Sequence, residues 1–203
     1  MTALDPFYLI VGHVGRLELL VPHGVRLVQL RIKDQPEQEI RRQVARARDF
    51  CAVHKAQLVV NDYWEIALDL RCNFVHLGQE DMDGADFAAL RRAGIRFGLS
   101  THDDAELDRA LGCDPAYVAL GPVYPTLLKQ MKWGPQGLDR VRDWKTRAGT
   151  TPLVGIGGLT PARLPDLFAA GADCAAVVTD IQQADDPEAR CREWITATRA
   201  HLR

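Results

Sequence analysis

Short apolar runs recur along the chain, and most are followed by charged segments with helical spacing. Eight of the runs predict strands: 7–12 (FYLIVG), 25–32 (VRLVQLRI), 57–62 (QLVVND), 74–78 (FVHLG), 96–100 (RFGLS), 117–121 (YVALG), 152–158 (PLVGIGG) and 174–179 (CAAVVT). Between them, 36–55 is the longest helix candidate, with Ile40, Val44, Ala47, Phe50 and Cys51 at roughly helical spacing. Segments 83–94, 103–112 and 160–171 each open on a capping residue and close on Gly94, Gly112 and Gly171, as helices do.

Most strand runs are continuously apolar, as expected when both faces of a sheet are covered. Strand and helix alternate in about eight units, which predicts parallel βαβ construction. We therefore expect an α/β fold, a single (β/α)8 barrel domain over residues 1–203, with an open doubly wound sheet as the alternative. No Pro/Gly/Ser-rich linker or low-complexity tract divides the chain.

The run at 25–34, VRLVQLRIKD, departs from this rule. Val28, Leu30 and Ile32 share one face, and Gln29, Arg31 and Lys33 share the other. Such a strand either faces water at an edge or lines a site for an anion. A barrel of this class builds its site at the C-terminal ends of the strands, so polar residues should gather there. They do. Gln29, Arg31 and Lys33 close the second run, Asn61 and Asp62 the third, and His76 leads into Gln79 and Asp81 after the fourth. Ser100 closes the fifth, with His102 just beyond; Thr126 and Lys129 follow the sixth, GIGG ends the seventh and VVTD the eighth. Each has an ordinary reading as a solvated face, turn, helix cap or core histidine. Their recurrence at one end of successive strands favours a shared function.

Two anion sites follow. Arg31, Lys33 and Lys129 supply cationic donors, and arginine grips phosphate oxygens in a bidentate way. Asp62 and Asp81 would repel a bare phosphate. They suit a hard cation between them and a pyrophosphate, and Mg2+ takes one or two carboxylates plus substrate oxygens. The second site uses backbone N–H groups of Gly157–Gly158 and those after Val178–Thr179, where these barrels usually hold a monophosphate. One diphosphate and one monophosphate in one mouth imply that two phosphorylated substrates are joined.

Composition narrows the classes. With 47% hydrophobic and 26% charged residues and a formal net charge of -2, the chain has no overall field for nucleic acid or anionic membrane, and no basic patch with interleaved aromatics. The five cysteines are scattered without a C-x-x-C pair, which argues against a disulfide framework or zinc site and for reduced thiols in the cytoplasm. Arg16 and Glu18 interrupt the N-terminal apolar stretch, so neither a membrane span nor a signal peptide is expected. A homo-oligomer is compatible with the sequence.

The blocks QLRIK, VVND, VHLGQED, GLSTH, GPVYPTLLK, VGIGGL and GADCAAVVTDI, in order and over nearly the whole chain, resemble the signature set of the thiamine-phosphate synthase family. GIGG alone recurs across phosphate-binding barrels; QLRxK, ND and HLGQxD together are specific. The resemblance implies condensation of 4-amino-2-methyl-5-hydroxymethylpyrimidine diphosphate with hydroxyethylthiazole phosphate, giving thiamine phosphate and pyrophosphate. It implies that Gln29, Arg31, Lys33, Asn61, Ser100 and Lys129 hold the pyrimidine diphosphate, with Arg31, Lys33, Ser100 and Lys129 acting in catalysis. Asp62 and Asp81 would ligate Mg2+, and Thr126, Leu128, Gly158, Val178 and Thr179 would surround the thiazole phosphate. The family pattern has pyrophosphate leaving ahead of attack by the thiazole nitrogen. No nucleophile–base pair is needed, and GLSTH lacks the G-x-S-x-G of a serine-hydrolase elbow. The chain departs from the family pattern at Tyr63, where Arg is usual, and at Leu128, where Thr is common and only a main-chain contact would survive. Thr179 replaces a Ser but keeps the hydroxyl. The segment 130–137 is expected to close over the site and exclude water. The alternatives are a thiazole tautomerase-like barrel, a sugar-phosphate isomerase using His76 or His102, and a non-catalytic thiamine-phosphate sensor. The first of these needs neither the carboxylates nor the Arg31/Lys33/Lys129 cluster.

Overall fold

The computed structural model describes residues 4–126 and 133–201. Eight parallel strands form: β1 (Phe7–Val11), β2 (Leu27–Leu30), β3 (Gln57–Asn61), β4 (Phe74–Leu77), β5 (Arg96–Thr101), β6 (Tyr117–Leu120), β7 (Leu153–Ile156) and β8 (Cys174–Val177). Each pairs with the next, and Phe7, Tyr8 and Leu9 of β1 pair with Ala175, Ala176 and Val177 of β8. That seam closes the barrel and excludes the open sheet. Every predicted strand is present, its ends displaced by at most two residues.

The helices are α1 (Val14–Leu20), α2 (Glu37–His54), α3 (Trp64–Asp69), α4 (Phe87–Arg92), α5 (Asp104–Gly112), α6 (Gly137–Ala148), α7 (Leu164–Ala169), α8 (Thr179–Gln182) and α9 (Pro187–Ala200). Acidic caps start three of them: Asp86, Asp103 and Asp186 accept from the backbone N–H of Ala89, Glu106 and Ala189. Gly94 (φ 70°) and Gly171 (φ 103°) reverse the chain as expected, but Gly112 does not. It stays inside α5, and the left-handed residue is Asp114 at φ 52°, a conformation that a short polar side chain tolerates. Thr160 makes no cap bond either; a single 3-10 turn, Pro161–Arg163, precedes α7.

Side chains alternate across each strand, and both faces are covered. Tyr8, Ile10, Leu27, Val59, Phe74, Tyr117, Val154 and Cys174 pack inside the barrel. Leu9, Val28, Val60, Val75, Leu99, Leu120, Trp144 and Trp194 pack between the strands and the helical ring. Two buried faces explain the continuous apolar runs. The last helix reaches across the seam, with the Trp194 ring stacked 5.9 Å from that of Phe7. No helix among the described residues is long and apolar enough to cross a membrane.

Candidate active site

The β2 ladder stops at Leu30, but the alternation continues past it. Ile32 is buried while Arg31 and Lys33 are exposed at the rim. Lys33 Nζ lies 2.5 Å from Asp62 Oδ2, across the end of β3. Asp62 has φ 65°, and its backbone N–H donates to the His76 carbonyl on β4. This left-handed turn follows directly on the strand. Asp81 sits in the 3-10 turn Asp81–Asp83 and accepts from Gly78 N–H at 3.2 Å. A Cβ on Gly78 would come 2.9 Å from the same carboxylate oxygen, so the glycine admits the approach. Burial first, and then the neighbouring Asp62 carboxylate, raise the Asp81 pKa above the ordinary range. Two carboxylates are thus held against each other beside the Lys33 ammonium.

The donor set fits Mg2+. It offers two carboxylates at the rim, and Mg2+ takes one or two carboxylates together with substrate oxygens and water; among the described residues no group of three His, Cys, Asp or Glu is placed to hold a metal ion by itself. Asn61, next in sequence to Asp62, is 4% exposed and its Nδ2 has no hydrogen-bond partner. A buried, unpaired amide donor is costly unless something arrives to accept from it.

Below this rim the polar residues are bonded to one another. Gln29 Nε2 donates to Tyr8 Oη at 2.9 Å, and Tyr8 Oη lies 2.9 Å from Tyr117 Oη. Tyr117 Oη lies 2.8 Å from His76 Nδ1, and His76 Nε2 lies 2.9 Å from Ser100 Oγ. Burial lowers the His76 pKa to about 4, so the ring is neutral near pH 7. Burial raises both tyrosines. His102 is engaged elsewhere: its backbone N–H and Nδ1 both meet Glu106 Oε2 at 2.8 Å, and its ring stacks on Trp133. His76 is thus bonded at both ring nitrogens, while His102 is held at Nδ1 by Glu106 and across its ring face by Trp133.

The opposite half of the rim is made of backbone. Gly157 (φ 97°) and Gly158 (φ 63°) follow β7. A Cβ on Gly158 would meet the Pro125 carbonyl and come 2.8 Å from Tyr124 Cβ, so β7 and the segment leading to Thr126 touch only because it is glycine. The Arg163 guanidinium lies 4.6 Å from the centroid of the Tyr124 ring and donates to the Gly158 carbonyl. Val178 and Thr179 stand at the start of α8. The next residue, Asp180, is bonded twice by Arg190, at 2.8 and 2.9 Å, and once by Trp194 Nε1 at 2.6 Å, all from α9.

The structure therefore groups Lys33, Asp62, Asp81 and Asn61 at one part of the rim, with Arg31 beside them. It links Gln29 to Ser100 through the barrel interior and brings Tyr124 and Pro125, the residues just before Thr126, against Gly158. Leu128 and Lys129 lie outside the described residues, as does part of the segment 130–137. Tyr63 donates to the Ile32 carbonyl at 3.3 Å, bracing the β2 extension in the position where an arginine is usual. Sequence reasoning did not single out Tyr8, Tyr117 or Arg163. A phenol in a continuously buried run needs a hydrogen-bond partner, and that was the available signal for the two tyrosines. A cavity of about 280 Å3 opens at the other end of the barrel, lined by Asp5, Arg26, Gln57, Phe74 and Arg96 among others. It is remote from the carboxylates, at the end where such barrels build stability.

A closed parallel barrel with its polar groups at the C-terminal rim defines a (β/α)8-barrel enzyme acting on small molecules. A sequence model described as thiamine monophosphate synthase matches residues 8–181. The chain belongs to that family. It is 58% identical over 195 residues to a thiamine-phosphate synthase of Rhizobium etli, covering 96% of each chain. It is 44% identical over 183 residues to that of Neisseria meningitidis, covering 90% of this chain and 89% of the other. A solved thiamine phosphate pyrophosphorylase from Pyrococcus furiosus superposes with a TM-score of 0.85, 24% identity and 98% coverage of both chains.

Proposed function

We propose that the rim performs its family's reaction by dissociative substitution, with the pyrimidine diphosphate ionising before the thiazole nitrogen attacks. The C–O bond between the pyrimidine methylene and the diphosphate breaks, and its electron pair leaves with the pyrophosphate. The thiazole nitrogen lone pair then forms the new C–N bond, giving a thiazolium. No proton moves in either step, so no general base is required.

The supporting observation is the cluster of Lys33, Asp62 and Asp81 beside the unpaired Asn61 amide. Asp62 and Asp81 would hold Mg2+, which supplies Lewis-acid stabilisation to the departing diphosphate. Arg31 and Lys33, with Lys129, place positive charge where negative charge grows, and preplaced donors of this kind act most strongly in the transition state. Asn61 and Ser100 donate to the same substrate, and Gln29 orients it. Thr126, Leu128, Gly158, Val178 and Thr179 surround the thiazole phosphate across the mouth.

The four most buried thiols, Cys51, Cys72, Cys174 and Cys191, are unpaired, and burial pushes Cys51 up to about 12 and Cys72 to about 11. Inert free thiols suit the reducing cytoplasm. The deciding experiment mixes both substrates with Mg2+ and detects thiamine phosphate by mass. Turnover that persists unchanged in EDTA, or in both Asp62→Ala and Asp81→Ala, would overturn the metal assignment. Binding of both ligands without pyrophosphate release would favour a sensor instead.

A further inference from the structure

Five polar side chains cross the barrel interior in single file, on five different strands: Gln29, Tyr8, Tyr117, His76 and Ser100. Tyr8 and Tyr117 are 1% and 0% exposed, and an apolar core would fill that space without any polar group to satisfy. The barrel makes room for the file deliberately in one place. A Cβ on Gly98 of β5 would overlap the hydroxyl end of the Tyr117 ring, so the phenol takes its place only because residue 98 has no side chain.

Counting protons gives the file a direction. The Gln29 amide N–H is donated to Tyr8 Oη, so the Tyr8 hydroxyl proton passes to its remaining neighbour, Tyr117 Oη. Tyr117 must then give its own proton to His76 Nδ1, which therefore carries a lone pair. A neutral imidazole has one N–H, so it lies on Nε2 and is donated to Ser100 Oγ. The Ser100 oxygen is satisfied as an acceptor, and its own proton is left to point away from the file, into the mouth. In the reverse direction Ser100 would donate inward to His76 and show the substrate only a lone pair. A leaving diphosphate gains negative charge, so it is stabilised by the first arrangement and repelled by the second.

We propose that Tyr8, Tyr117 and His76 are positioning residues that fix the hydrogen-bond direction so that Ser100 serves as a donor to the departing diphosphate. The proposal rests on the dissociative reading above and adds three buried residues behind Ser100. They act through Ser100, and the file switches direction only as a unit.

The test has two arms. Nitrogen-15 NMR of the ligand-free protein at pH 7, with His76 assigned from the spectrum of His76→Asn, should show Nδ1 unprotonated and Nε2 protonated. Tyr117→Phe should abolish that preference and give a mixture of tautomers; Tyr8→Phe does the same from farther along the file and replaces Tyr117→Phe should that variant not fold. In kinetics, Tyr117→Phe should lower kcat about tenfold with KM for the pyrimidine diphosphate within about twofold, since a donor is misdirected rather than deleted. In a Ser100→Ala background the same change should have no further effect. A proton on Nδ1 in the wild type would overturn the proposal. So would an equal loss in both backgrounds, which would mark Tyr117 as a packing residue. The NMR arm uses no substrate, so it stands even where the reaction itself proves to be different.

Discussion

Asp81 shows most plainly how the site trades stability for chemistry. The folded protein holds its carboxyl proton more tightly than the unfolded chain does, because of burial and the adjacent Asp62. Its contribution to stability is therefore full at low pH and is lost as pH rises through its folded pKa. Asp81→Asn removes this repulsion. It should raise the melting temperature at neutral pH slightly, since solvent screens most of the repulsion at this partly exposed rim, while lowering Mg2+-dependent turnover at least about a hundredfold. Calorimetry and a pyrophosphate-release assay read the two effects side by side. Asn61→Ala makes the complementary case. Its buried amide has no partner to lose, so removing it relieves an unpaired donor and should not lower the melting temperature, while KM for the pyrimidine diphosphate rises. At this scale the sequence exposed what period two could expose: Gln29, Arg31 and Lys33 alternate visibly against Val28, Leu30 and Ile32. The bond between Tyr8 and Tyr117 spans 109 positions of sequence, and no local pattern reports it.

Among the elements, strands were easier to read than helices. All eight apolar runs form strands because each buries both faces, and that requirement is written into every residue of the run. The helices Gly137–Ala148 and Pro187–Ala200 do carry buried stripes at helical spacing, Val141, Trp144 and Ala148 in one and Cys191, Trp194, Ile195 and Thr198 in the other, but these are sparse among charged residues and do not stand out in the sequence. Their placement depends on partners. Trp144 Nε1 donates to Thr101 Oγ1 at 2.8 Å, and Thr101 in turn donates to the Ala119 carbonyl at 3.0 Å, tying α6, β5 and β6 together. Thr101→Val leaves a buried N–H and a buried carbonyl without that link, and should cost about 1–3 kcal/mol in urea denaturation. Gly158→Ala tests the other half of the rim. With φ 63° and the Tyr124 oxygen 2.9 Å from the new Cβ, it should cost about 1–3 kcal/mol and raise KM for the thiazole phosphate more than for its co-substrate.

For the whole molecule, the count of strand–helix units foretold a barrel, but closure is a property no single segment carries. It is made where β1 meets β8, and α9 covers that junction through the Trp194–Phe7 stack. The family match ends at residue 181, before this helix begins. A chain ending at residue 186 should therefore lose cooperative thermal unfolding, as circular dichroism would show, although every family signature remains in it. Asp180, one residue beyond Thr179, gives the same helix an electrical role. Its carboxylate would by itself repel any dianion coming to that side of the mouth, but the Arg190 guanidinium cancels the field from behind. The outer shell of the protein thus sets the polarity that an incoming phosphate meets, and neutralising Arg190 would turn a receptive stretch of rim into a barrier.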